Sequence, residues 1–202
     1  MRNIIGVVNY GIAGNIHSIE KAIKKAGGET LVINDVEQFN QIDKLVLPGV
    51  GSFADAMQEL KSHGFLEALQ NNTKPILGIC LGMQILSTIG FEYGKTKGLD
   101  FIQAEVRPIL VDAKVPHVGF NNIEVIKKNN ILDGLENDKF YFMHSYEVVN
   151  FTDIASLTQY AGHKFVSSIK KDNVYGVQFH PEKSREPGIK LFKNFINLGL
   201  NQ

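Results

Sequence analysis

The chain has 202 residues, enough for one domain of ordinary size with a sheet covered on both faces. Acidic and basic residues balance at 21 each, so neither a nucleic acid nor a charged membrane surface is implied as a partner. The single cysteine excludes an internal disulfide framework, and no Cys/His spacing of a metal site occurs.

The first half alternates strand and helix signals. Met1-Arg2-Asn3 leads into Ile4–Val8, an apolar run too short for a secretory signal and followed by polar Asn9, so it reads as a buried first strand. No stretch approaches the length of a membrane span, and with one cysteine the chain reads as a soluble cytoplasmic protein. From Asn15 to Ala26 the residues Ile16, Ile19, Ala22, Ile23 and Ala26 share one helical face, and Gly27-Gly28 ends the helix. Glu29–Ile33 and Lys44–Leu47 are the next strands. Ser52 offers an N-cap for a helix through Phe53, Ala56, Met57 and Leu60. Ile76–Ile79 is a fourth strand, which runs into Cys80 and turns into a further helix. This alternation predicts a parallel sheet with helices on both faces, in which ligands bind at the carboxyl ends of strands. The loops after Val8, Leu47 and Ile79 are where chemistry is expected.

The second half is richer in β-structure. Candidate strands are Glu105–Leu110, Asn122–Ile126, Phe140–Phe142, Glu147–Val149, Phe165–Lys170 and Val174–Gln178. Asp133-Gly134 and Asp172-Asn173 are turn signals between them. A helix opening at Glu186 or Pro187 closes the chain, carrying Ile189, Leu191, Phe192, Phe195, Ile196 and Leu198. No repeat, low-complexity tract or linker occurs. The expected architecture is a single α/β domain over residues 1–202: a mixed, largely parallel sheet flanked by helices, with a β-rich second half.

Chemistry concentrates at three places. Gly78-Ile79-Cys80-Leu81-Gly82 has the form Gly-x-nucleophile-x-Gly, a sharp strand-to-helix turn with a thiol at its apex. A thiol there lies near a helix N-terminus, whose free N–H groups favour negative charge and a developing oxyanion. A lone cysteine is equally a common buried small hydrophobe, so the rest of the chain decides. In Val177-Gln178-Phe179-His180-Pro181-Glu182 the His and Glu stand two apart, on one face of an extended segment. His180 there is a base for the thiol and later an acid for a leaving amine, with Glu182 fixing the ring tautomer. Finally, Pro48-Gly49-Val50-Gly51-Ser52 follows a strand with two glycines, which let backbone amides approach a ligand. Together with the amide of Leu81, Gly49, Val50 and Gly51 suit an oxyanion hole. Read alone, the segment is also an ordinary strand-to-helix turn.

These pieces resemble the class I glutamine amidotransferases, a flavodoxin-like family whose elbow reads Gly-x-Cys-x-Gly and whose triad ends in His-Pro-Glu. Within the class the resemblance is greatest to the glutaminase subunits of imidazole glycerol phosphate synthases, of histidine biosynthesis. It is carried by Pro48-Gly49-Val50-Gly51, the elbow through Gln84, Tyr141-Phe142-Met143-His144-Ser145-Tyr146, Pro116-His117-Val118-Gly119-Phe120-Asn121 and His180-Pro181-Glu182-Lys183-Ser184. The resemblance implies a Cys80, His180, Glu182 triad that hydrolyses glutamine through a glutamyl thioester, with no cofactor. Gly49-Val50-Gly51 would be the oxyanion strand, whose peptide reorients before the hole forms. Gln84, with main chain of His144, Ser145 and Tyr146, would hold the substrate's amino-acid end. Ammonia would pass to a (β/α)8-barrel cyclase subunit in a heterodimer. The turn from Asn9 and Tyr10 to Asn15 (with Gly11, Ile12, Ala13 and Gly14 between), and Phe120, Asn121, Tyr141 and Lys183, would face that partner. Phe120 and Tyr141 also fit as core aromatics, and Lys183 as a solvated charge.

Two departures bear on the acceptor. The family's Asp-Tyr-Gly-x-Gly-Asn turn has Asn9 in place of Asp and one added residue, and its Pro-His-x-Gly-Trp-Asn segment has Phe120 at the tryptophan position. A paralogue feeding ammonia to another synthase, such as one amidating a surface-polysaccharide sugar, is the rival expectation. A catalytically silent binding homologue would lack Cys80, His180 or Glu182, and all three are present. A thiol protease or chaperone of similar fold would have no need of His-Pro-Glu, the Pro-Gly-Val-Gly loop and Gln84 together.

Overall fold

A computed structural model describes residues 3–11, 14–149 and 152–199. Met1 and Arg2 before the first strand, and Ile12 and Ala13 of the early turn, lie outside the described residues. The first half forms where its pattern predicts: β1 (Ile4–Val8), α1 (Ile16–Lys25), β2 (Glu29–Ile33), β3 (Lys44–Leu47) and α2 (Phe53–Ser62). Ser52 caps α2, its side chain accepting from the Asp55 amide. A short α3 (Phe65–Gln70) follows, then β4 (Ile76–Ile79) and α4 (Leu81–Gln84).

The remaining elements are β5 (Ser87–Gly90), β6 (Thr96–Lys97), β7 (Ile102–Pro108), β8 (His117–Asn122) and β9 (Glu124–Val125). After them come β10 (Lys139–His144), β11 (Tyr146–Val149), β12 (Ile154–Tyr160), β13 (His163–Lys171), β14 (Val174–Val177) and α5 (Arg185–Ile196). Eight strands form the main sheet in the order β2-β1-β3-β4-β14-β13-β12-β9. From β2 to β14 the pairing is parallel, and from β14 to β9 antiparallel. A second sheet runs β11-β7-β5-β6, and β10 pairs with β8.

The central strands are buried on both sides, which is why their sequences are continuously apolar. Alternate residues serve opposite faces. Leu45, Leu47, Ile76 and Val174 pack with α2, α3 and the second sheet. Val46, Leu77, Ile79, Tyr175 and Val177 pack with α1, α5 and the β10 aromatics Phe140 and Phe142. Helices of ten residues are marginal alone, so the burial of Ile19, Ala22 and Ile23 on α1 holds it to the sheet, at about 1.5–3 kcal/mol for each large side chain.

Several elements differ from the sequence expectation. The helix after Cys80 is a single turn, because the carbonyls of Ile85 and Leu86 accept from the amides of Leu99 and Ile102 and draw the chain into β5. β12 is absent from the sequence reading because its inward Ser156 and Thr158 look solvent-facing. Both are buried, their hydroxyls satisfied by Ser167, Ser168 and the Asn122 carbonyl. β7 (Ile102–Pro108) overlaps the predicted Glu105–Leu110 but starts and ends earlier, and the predicted Asn122–Ile126 strand is split by buried Ile123. α5 begins at Arg185 with Pro187 in its first turn, where no intrahelical N–H is required.

Candidate active site

Cys80 joins β4 to α4 with φ 53° and ψ −111°, a conformation side chains rarely adopt. Its amide is held in the sheet by the Val177 carbonyl (2.8 Å), while its own carbonyl accepts from Met83 and Gln84 (3.0 and 3.1 Å). The chain therefore reverses within one residue and leaves the Leu81 amide outside the turn's ladder. Tight glycine packing makes the reversal possible. A Cβ on Gly78 would lie 2.6 Å from the Gly82 carbonyl oxygen, and one on Gly82 would lie 1.8 Å from the Leu47 oxygen. A Cβ on Gly49 would meet the Gly82 nitrogen at 2.7 Å. The elbow and the Gly49-Val50-Gly51 loop are thus in backbone contact, with Gly51 at φ 96° on the cleft side.

The sheet order brings a histidine to the cysteine. β14 runs parallel to β4 with Val177 opposite Ile79, so the residues following Val177 are delivered beside Cys80. His180 is fixed by its amide to the Tyr141 carbonyl (2.8 Å) and is almost wholly buried. Its Nδ1–H donates to Glu182 Oε1 at 2.8 Å. The Glu182 side chain is fully buried, and Asn15 Nδ2 donates to the same oxygen at 3.4 Å. Among the described residues His180 Nε2 and Glu182 Oε2 have no geometric hydrogen-bond partner. Burial lowers the imidazole pKa, but the Glu182 hydrogen bond and the nearby charge of Cys80 and Glu182 outweigh it and raise it to about 10. A protonated ring between a sulfur and a carboxylate can donate to a leaving amine.

In front of Cys80 lies a cleft of about 490 Å³, bordered by Val50, Gly51, Gln84, Glu92 and the Met143–Tyr146 segment. Gln84 Nε2 donates to the Tyr146 carbonyl (3.1 Å) and to Gln178 Oε1 (3.0 Å), which leaves its Oε1 for a ligand's donor. The His144 side chain turns inward, its Nδ1–H donating to the Tyr146 carbonyl at 2.9 Å. Burial drives its pKa down to about 4 despite that bond, with help from His117 and His180. The neutral ring leaves its Nε2 to accept from His117 Nδ1–H at 3.3 Å. His144, Ser145 and Tyr146 therefore border the cleft as predicted, with the His144 ring serving the wall rather than the opening.

The sequence reading missed Glu92, whose carboxylate borders the cleft from the β5–β6 turn. Its Oε2 accepts the Phe53 amide at 2.7 Å; burial raises its pKa, partly offset by that bond. Its signal was hidden with β5. Gln178 was also missed, a fully buried amide 3.6 Å from Cys80 Sγ.

Of the residues assigned to a partner, Tyr10 faces inward instead, while Asn15 is half-buried. Tyr10 is wholly buried, its hydroxyl donating to the Pro48 carbonyl at 2.5 Å behind Gly49, because β1 leads straight under the loop. Asn15 is spent on Glu182. Asn9 bonds Asn34 Oδ1 at 2.8 Å, and Asn121 bonds the Gln159 carbonyl at 2.8 Å. Phe120, Tyr141 and Lys183 do cluster: the two rings lie 5.5 Å apart, with Lys183 above Tyr141. Arg185, missed in the sequence, lies 5.0 Å over Phe120, which is 44 % exposed. Among the described residues no helix is long and apolar enough to cross a membrane, and no group of acidic, His or Cys side chains is arranged to hold a metal.

A cysteine at a strained turn after one central strand, with a buried His–Glu pair delivered by the neighbouring strand, is set in a mixed, largely parallel α/β sheet. The family model "Glutamine amidotransferase class-I" matches residues 7–198, and the chain belongs to that family. Its similar relatives carry a narrower description. "Imidazole glycerol phosphate synthase subunit HisH 1" of Campylobacter jejuni (strain RM1221) is 44% identical over 202 residues, 96% of this chain and 100% of the relative. "Imidazole glycerol phosphate synthase subunit HisH" of Aquifex aeolicus is 43% identical, covering 94% of each chain. Among solved structures, a putative GMP synthase subunit from Thermoplasma acidophilum aligns with a TM-score of 0.75 and 27% identity, covering 98% of this chain and 94% of that one. The chain is accordingly a HisH-type glutamine amidotransferase.

Proposed function

We propose that the chain is the cytoplasmic glutaminase subunit of an imidazole glycerol phosphate synthase, acting in histidine biosynthesis through a Cys80-His180-Glu182 triad. The carrying observation is the buried His180–Glu182 pair at 2.8 Å, its remaining ring nitrogen unpaired beside a cysteine on a strained turn. Cys80 Sγ attacks the γ-carboxamide carbon of glutamine with its proton already on His180 Nε2. The oxyanion that forms is held by the Leu81 amide and by a reoriented peptide of Gly49-Val50-Gly51. His180 returns the proton to the leaving nitrogen, so ammonia departs and a glutamyl thioester remains. Water then adds to the thioester with His180 as base, releasing glutamate and restoring the thiol. Glu182 keeps the ring in the tautomer that points Nε2 at sulfur. Gln84 Oε1 and the Glu92 carboxylate receive the substrate's ammonium. Glutamine is the substrate and no cofactor takes part.

Ammonia then passes to a (β/α)8-barrel cyclase, which makes imidazole glycerol phosphate and aminoimidazole carboxamide ribotide. The names of relatives 43–44% identical over nearly the full chain support that destination. The Phe120, Tyr141, Lys183 and Arg185 cluster is the proposed contact with the cyclase. Phe120, in place of the family's tryptophan, favours the second reading: a paralogue serving a different synthase, such as one amidating a surface-polysaccharide sugar. One experiment tests both. Glutamine hydrolysis is measured alone, with the histidine-pathway cyclase and its nucleotide ligand, and with Cys80→Ala. The proposal expects stimulation by the liganded cyclase and a loss of several orders of magnitude in the variant. Retained hydrolysis in Cys80→Ala would overturn the mechanism, and stimulation only by another synthase would select the paralogue.

A further inference from the structure

Gln178 has no part in the steps above, yet among the described residues its amide is the only uncharged polar side chain set against the nucleophilic sulfur. The residue follows β14, its backbone N–H donating to the Ser167 carbonyl at 2.9 Å, and it is fully buried. Burying a primary amide is costly unless its donors and acceptor are matched, so the direction of that amide carries information. The direction is fixed by a chain of partners that starts at the backbone. The Tyr146 carbonyl can only accept, so Gln84 must turn its NH2 toward it, at 3.1 Å. The second hydrogen of that NH2 meets Gln178 at 3.0 Å, which obliges Gln178 to present its oxygen there. Its own NH2 is thereby aimed at Cys80 Sγ, 3.6 Å away. A flipped Gln178 would set two donors against each other and turn its oxygen toward the sulfur.

We infer that Gln178 is a positioning residue for the nucleophile: a preset N–H donor that holds the Cys80 sulfur and stabilises negative charge on it, oriented through Gln84 by the Tyr146 carbonyl. The inference rests on the glutaminase reading for its consequence in turnover, but not for its consequence on the sulfur itself. The geometry has a second implication. Gln84 spends both amide hydrogens within the protein, so it receives the substrate with its oxygen alone, and the same side chain ties the substrate end of the cleft to the sulfur end.

Gln178→Met keeps the length and removes the donor. Gln178→Glu keeps the acceptor toward Gln84 and replaces only the group that faces sulfur. Each variant, as the full chain with its cyclase partner, is compared with the native protein in three measurements. These are kcat and KM for glutamine hydrolysis, the rate of Cys80 alkylation by iodoacetamide, and the thiolate absorbance near 240 nm, taken against Cys80→Ala. The expected result is a fall in kcat and in alkylation rate of about 10–100-fold, what a hydrogen bond to a charged group is worth, with KM nearly unchanged and less thiolate absorbance. Gln178→Glu is at least as slow as Gln178→Met. Native alkylation rate and absorbance in both folded variants would overturn the inference. If either variant fails to fold, the native chain decides: the Gln178 side-chain amide protons must shift in its NMR spectrum on replacing Cys80 by Ala, and an unmoved signal refutes the contact. Absence of hydrolysis by the native complex would sink the glutaminase reading alone, because alkylation and NMR still read the sulfur.

Discussion

The contact between the elbow and the Gly49 loop is tested most directly by Gly82→Ala. The added carbon would sit 1.8 Å from the Leu47 carbonyl oxygen and 2.8 Å from its carbonyl carbon. Ordinary carbon contacts lie near 3.5 Å, so a gap of roughly 1.5 Å must open. Neither side has a flexible end to swing away. Leu47 is in register with Gly78 inside the sheet, and Gly82 is backbone of a one-turn helix. The strain therefore separates Cys80 from the oxyanion loop. Overpacking of this kind costs about 1–3 kcal/mol, and in a chain of this size that lowers Tm by about 3–10 °C. A displacement near 1 Å at reacting groups costs about 100-fold in rate. The assay is glutamine hydrolysis with saturating cyclase and its ligand, alongside thermal unfolding. Gly27→Ala is the control: its φ is 92° but a Cβ there meets nothing within 4 Å, so it loses about 1–2 kcal/mol of stability and no activity. Native kcat in Gly82→Ala, or a loss no greater than in Gly27→Ala, would refute the coupling of elbow and loop.

Three further outcomes are expected. Glu182→Gln removes the anion that orients His180, and kcat should fall about 10²–10⁴-fold with KM for glutamine little changed; a kcat within threefold of native contradicts the assigned role. Glu92→Gln should raise KM about 10-fold and spare kcat, because it removes a charge facing the substrate's ammonium; an unchanged KM in saturation kinetics dismisses that contact. Of the three buried histidines, His180 acts oppositely on stability to His144 and to His117, whose pKa burial also lowers, so His144 carries only part of the acid side. His180, raised in the folded chain to about 10, stabilises fully below pH 6.5 and loses that contribution as pH rises toward 10. His144, lowered to about 4, stabilises above pH 6.5 and loses its contribution as pH falls toward 4. Tm of native protein should therefore decline on both sides of neutrality, and His144→Asn should make the acid side alone less steep. An acid limb as steep in His144→Asn as in the native chain rules His144 out as one of its sources.

Local signals carried the first half of the fold. β1 to β4 are short apolar runs bounded by Gly, Pro or capping residues, and they begin and end at the expected positions. Cys80 and His180 were legible because each follows a central strand, but Glu182 reaches the ring from a 3-10 turn over Pro181–Lys183 and not from the extended segment expected. Elements defined by distant partners were not. β12 pairs buried serines that only their hydroxyl partners explain, and β5 exists because Leu99 and Ile102 claim carbonyls a longer helix would have used. Tyr10 was misdirected outward for a related reason: nothing local shows that the Pro48 carbonyl waits for its hydroxyl. Gln178 was visible as a residue, but its purpose depends on the orientation of Gln84, which no spacing reveals.

The position of β14 sets a schedule for the molecule. The strand between β4 and β13 is the last in chain order among the described residues, so the middle of the main sheet is filled only after the strands on both sides of it have been made. Until then β4 presents an open apolar edge, and the thiol at its tip has neither His180 nor Gln178 beside it. A growing chain carrying Cys80 is thus chemically idle, and pairing across so long a sequence separation makes this closure a slow event in folding. Under the proposed triad, hydrolysis would await the completed sheet, because His180 and Gln178 arrive only with β14.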